Sequence, residues 1–128
     1  MNPSTLLRKP RLYFDTIANA THITFDDGTE QRRNFPWLHY VTARWNYAEP
    51  DLIQLEIGDW LVSLHGNNLG PVFQAIEEHT LLRVRAQPEL ARNREHQIDS
   101  FVAEIRFAYP QPGPASIHRE QIELPLGR

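Results

Sequence analysis

Three stretches of this sequence hold residue types able to do chemistry. The first is His65-Gly66-Asn67-Asn68, set between an alternating apolar segment and one with helical spacing. Unpaired N–H groups and the dipole at a helix start favour an anion, and a glycine lets a ligand approach the backbone. These four residues are the candidate anion or small-ligand site. Their spacing is neither that of a P-loop nor that of a dinucleotide fingerprint. A tight turn followed by an asparagine N-cap uses the same residues with no ligand at all.

The second stretch is acidic and histidine-bearing: Glu77-Glu78-His79, with Glu95, His96 and Asp99 further on. These are metal-ligand types. Neighbours along a helix point in different directions, and there is no His-x-x-x-His or HExxH pattern, so no metal site is assigned. His79 is expected to serve the last carbonyls of its helix. The third set is nucleophilic: Ser63, Ser100 and Ser116, with six histidines. None lies in a nucleophile elbow, and no catalytic residue and no cofactor are assigned. Asp26-Asp27 falls at a turn, where aspartate is expected for turn chemistry alone.

A contact surface is the other candidate. Twelve of the thirteen basic residues are arginine, and only Lys9 is lysine. Guanidinium groups suit carboxylates, phosphates and aromatic faces. Trp37, Arg44, Arg83, Arg85 and Arg106 are the candidate contact residues. Trp45 and Trp60 fall on patterned core faces, whereas Trp37 sits in a Phe-Pro-Trp corner.

The elements that must position these groups follow from periodicity. Ile53, Leu55 and Ile57 alternate with Gln54 and Glu56; Gly58-Asp59 is a two-residue turn pair; Trp60, Val62 and Leu64 resume the alternation. That is a hairpin in which Ile57 faces Trp60, Leu55 faces Val62 and Ile53 faces Leu64. Val41, Ala43, Trp45 and Tyr47 also alternate, and Glu49-Pro50-Asp51 supplies a turn, so residues 41–65 read as a three-stranded meander. Residues 21–26 read as a strand paired with 32–35, and the corner at 35–38 as irregular. Leu69, Val72, Phe73 and Ile76 predict an amphipathic helix over about 68–79, with Asn68 as N-cap and Pro71 in the first turn. Leu82, Val84 and Ala86 predict a strand face. Residues 88–99 read as a loop with one helical turn. Phe101, Ala103, Ile105 and Phe107 predict another strand, and Ile122, Leu124 and Leu126 an edge strand at most, because of Pro125.

The fold class expected is α+β, a bent antiparallel sheet of about six strands (a partial barrel or roll) with one helix. The chain of 128 residues is 41% hydrophobic and 23% charged, which suits one domain. Within it stand a polar arm at 1–11, a core over about 20–108, a Pro-rich linker at 109–115 and a tail at 116–128. The absence of cysteine excludes disulfides, Cys-ligated metals and thiol catalysis. Leu6-Leu7 runs straight into Arg8-Lys9-Pro10, so a secretory signal is not expected, nor a membrane span, and the cytoplasm is the expected compartment. A net charge of −3 argues against a general nucleic-acid binder.

Three functions are consistent with this reading. The favoured one is a non-catalytic interaction or self-assembly module, a homodimer or a partner of an unknown protein. Leu52, Leu61, Leu81 and Val102 lie opposite the main apolar faces, and one helix covers only one side of a sheet. The second is a small-ligand or anion-binding domain, or an enzyme, centred on residues 65–68. The third is an RNA-binding β-domain using Arg83, Arg85 and Arg106.

Overall fold

The computed structural model describes residues 13–91 and 100–109. The arm, the acidic residues 95–99, the linker after Tyr109 and the tail, with their assigned elements, lie outside those residues. Eight strands form two four-stranded sheets, with no closed barrel among the described residues. The first sheet has the order β1 (Phe14–Thr16), β7 (Leu81–Arg85), β2 (His22–Asp26), β3 (Arg32–Pro36). The second runs β4 (Tyr40–Arg44), β5 (Leu52–Ile57), β6 (Trp60–Asn67), β8 (Phe101–Ala108). Helix α1 (Gly70–Glu77) joins the sheets, and a single turn, α2 (Pro88–Ala91), follows β7. No helix among the described residues is long and apolar enough to cross a membrane.

The class is α+β and the pairing is antiparallel except between β2 and β7, which run parallel. Two sheets arise where one bent sheet was expected because of the corner after β3. Pro36 ends that strand, and Trp37–His39 form a 3-10 turn that redirects the chain into β4. The sheets face each other across one core. Phe25 of β2 meets Phe107 of β8 edge-to-face at 6.4 Å. The same core takes in Val72, Ala75 and Ile76 of α1, and also Tyr13, which lies before the expected start of the core.

The hairpin has the expected register, with Ile57 opposite Trp60, Leu55 opposite Val62 and Ile53 opposite Leu64. Gly58 alone of the turn pair has positive φ, +60°, as a II′ turn requires. Pro50 occupies the second position of the turn closed by the Leu52 N–H on the Glu49 carbonyl.

Three bulges move side chains away from their expected faces. Thr42 follows Tyr40 in the pairing with β5, which leaves Val41 as the extra, exposed residue. In β7, Leu81 and Arg83 pair with consecutive residues of β1, so Leu82 is expelled and Leu81 enters the core. In β8, Glu104 and Val102 pair with consecutive residues of β6, so Val102 is fully buried and Ala103 is not.

Candidate functional site

Residues 65–67 belong to β6, and Asn68 adopts a left-handed φ of +51°. Leu69, not Asn68, is the N-cap of α1, and its side chain makes no capping hydrogen bond. Gly66 lies at the β6–β8 bulge. A Cβ there would stand 2.1 Å from the Phe101 carbonyl oxygen and 2.8 Å from the Val102 Cα. The glycine thus admits strand β8, and its N–H donates to the Asp51 carbonyl. Ser100 Oγ donates to the Asn68 carbonyl at 2.8 Å and lies 2.6 Å from the Tyr13 hydroxyl. Burial raises the Tyr13 pKa, against the lowering effect of Ser100. The polar groups at this junction thus hold β8, the N-terminal segment and the helix start together.

The arginines do not form one strip. Arg44, Gln54, Ser63 and Arg106 lie on one rung across the second sheet, whereas Arg83 and Arg85 lie on the first. Carboxylates accompany three of them. Arg44 lies 3.7 Å from Glu56 and donates to Gln54; Arg85 lies 3.5 Å from Asp15; Arg106 lies 2.6 Å from Glu104. The continuous basic strip that RNA binding would use is absent from the described residues. Asp26 and Asp27 accept backbone N–H groups of their own turn. Desolvation is the largest single influence on Asp27 and raises its pKa, but the N–H groups of Thr29, Gln31 and Glu30 and the Thr29 hydroxyl together outweigh it and hold the carboxyl below its usual value.

The tryptophans exchange their expected places. Trp37 is buried, and its indole N–H donates to the Leu81 carbonyl at 2.9 Å. Its ring stacks on His79 at 4.6 Å and meets Tyr40 edge-on at 5.1 Å. It is a seam residue, not a contact residue. His79 stacks there instead of serving the helix carbonyls through its ring. Burial, and then the charge of Glu77, raise the Tyr40 pKa. Trp60 is half-buried, with the Arg33 guanidinium 4.0 Å above its ring.

Trp45 is exposed. The chain leaves β4 at Arg44, and the Trp45 indole N–H donates to the Pro50 carbonyl at 2.9 Å, which fixes the ring against its own turn. Phe73 of α1 lies 5.3 Å away. The two rings in contact help line a trough of about 580 Å³, to which the turn after β4 contributes Trp45, Tyr47 and Pro50 and helix α1 contributes Phe73, Glu77 and Glu78. A second hollow of about 460 Å³ adjoins it and shares Trp45, Pro50 and Gly70. No Lys or Arg among the described residues lines either hollow. Among the described residues no group of three His, Asp or Glu could hold a metal.

This trough is the candidate site, a concave aromatic surface with an acidic rim. The pattern of Phe73 reads as core and that of Glu77-Glu78 as a solvated face, so neither signals a site alone. Their juxtaposition with Trp45 depends on where α1 packs. No protein-family model, no characterised protein and no solved structure matches the chain.

Proposed function

We propose that this chain is a non-catalytic interaction module that assembles as a homodimer through the free edge of β4. The observation that carries this reading is the clustering of exposed apolar side chains. Among the described residues seven large hydrophobic side chains are exposed, and Leu38, Val41, Trp45 and Tyr47 fall in one short stretch on and around β4. Leu38 is 90% exposed and Val41 61%. Among the described residues the strand is the last in its sheet and pairs only with β5. Its outer edge therefore offers backbone N–H and C=O groups beside apolar side chains, a template for another strand. A second copy supplies the same edge, and antiparallel pairing about a two-fold axis closes the assembly. The reading assigns the protein to the cytoplasm, as a Cys-free chain suits.

The first and second sheets already cover each other's apolar faces, so the interface belongs at the edge and not on a sheet face. Light scattering at tens of micromolar should show a dimer. Leu38→Lys/Val41→Lys should give a monomer whose stability changes by no more than about 1 kcal/mol, since both sites are exposed. A monomeric wild type overturns the proposal, and a dimer indifferent to the two lysines overturns its assignment to β4.

A further inference from the structure

We infer that the trough between the turn after β4 and helix α1 is a docking site for an arginine side chain presented by a partner polypeptide. The inference does not rest on self-association and is read by a different measurement, although Trp45 and Tyr47 belong both to the trough and to the exposed stretch around β4.

The walls determine the chemistry. Trp45 is held by its bond to the Pro50 carbonyl, so its ring is a preformed surface that loses little freedom on binding. Tyr47 is fully exposed beside it, and Phe73 stands 5.3 Å from the indole across the floor. Three aromatic groups line one hollow, and aromatic π faces attract cations. Glu77 and Glu78 form the rim, with no basic residue in the lining among the described residues. Gln74 donates to one Glu78 oxygen at 3.1 Å, which orients that carboxylate and leaves it further lone pairs. A neutral apolar ligand would desolvate these carboxylates without pairing them, which is costly. A cation on an apolar stem satisfies both the rim and the walls.

Arginine is preferred over lysine on geometry. Its guanidinium is planar, stacks on an aromatic ring and still directs N–H groups outward to a carboxylate. The same protein shows the contact elsewhere: the Arg33 guanidinium lies 4.0 Å over Trp60, with Phe107 5.7 Å from it. The trough has the aromatic half of that arrangement, an acidic rim and, among the described residues, no arginine of its own.

The test is an NMR titration of the full chain with the blocked tripeptide Ala-Arg-Ala, read at the Trp45 indole N–H, which Trp45→Phe assigns. Citrulline and lysine tripeptides are the controls. The arginine peptide should shift the Trp45 signal and leave that of buried Trp37 unmoved. Citrulline has the same shape without charge and should bind roughly tenfold more weakly. Glu77→Gln/Glu78→Gln should reduce arginine binding by a similar factor with an unchanged melting temperature, and added salt should act in the same direction. Equal binding of citrulline overturns the charge assignment while leaving the trough an apolar docking site. Tighter binding of lysine overturns the choice of arginine. No Trp45 shift with any peptide, in the wild type or in the Leu38→Lys/Val41→Lys variant, overturns the site itself.

Discussion

Trp37 and Trp45 stand on either side of β4, and each donates its indole N–H to a backbone carbonyl at 2.9 Å. One is 7% exposed and the other 36%. The difference lies in the acceptor. Trp37 reaches Leu81, far along the chain on the other sheet, so its hydrogen bond draws the ring into the seam between sheets. Trp45 reaches Pro50, on its own turn, so its bond holds the ring at the surface. A hydrogen bond to a distant element spends a tryptophan on the fold, whereas a local one leaves an oriented aromatic face free for a partner.

The largest expected effect separates the two rings. Trp37→Ala removes a buried aromatic together with its hydrogen bond to the Leu81 carbonyl, and should cost roughly 3–5 kcal/mol. Trp45→Ala should cost about 1 kcal/mol or less, since its ring is exposed and its acceptor can turn to water. Urea denaturation followed by far-UV circular dichroism measures both. Equal costs would show that Trp45 supports the fold and would remove the contrast.

The next effect concerns the strand behind Trp37. Leu81 is fully buried, while Leu82 is expelled by the bulge. Leu81→Ala should cost roughly 2–5 kcal/mol and Leu82→Ala under about 1 kcal/mol. The reverse ranking, which simple alternation with Val84 implies, would place the bulge elsewhere and take the Leu81 carbonyl out of reach of Trp37.

What was legible in the sequence follows the range of the interactions. The β5–β6 hairpin was readable to the residue, because Gly58-Asp59 sets the turn and Ile53 to Leu64 set the faces within one local unit. The β2–β3 pair and the helix were readable for the same reason. The bulges were not, since an extra residue shows only against a partner strand. Gly66 looked like a ligand-binding glycine from its neighbours along the chain, and only β8, far away in sequence, explains it. Trp45 continued the alternation of Val41 and Ala43 on paper, but pairing ends at Arg44. The trough likewise needs Phe73 and Glu77 brought to Trp45 by the packing of α1, which no local pattern encodes. The division into two sheets turns on Pro36, legible as a corner but not as a crossing point.

The smallest effect tests whether one wall serves both aromatic clusters. Glu77 lines the trough and also lies close enough to Tyr40, the edge-on partner of Trp37, to raise its pKa. Burial is the larger cause and Glu77 the lesser. The folded state therefore holds the Tyr40 proton more tightly than the unfolded chain does, whose ordinary value is 10.0. The resulting stability is complete below that pH and is lost as pH rises from it through the folded value. Tyr13, also raised, adds to the same alkaline decline. Glu77→Gln removes the charge but not the burial. The Tyr40 midpoint should fall yet stay above the ordinary value, and the alkaline loss of stability should become shallower. Tyrosinate absorbance, differenced against Tyr40→Phe, isolates this one phenol from Tyr13. An unmoved midpoint would mean that Glu77 does not face Tyr40, and the seam and the trough would then be separate structures with no shared side chain between them.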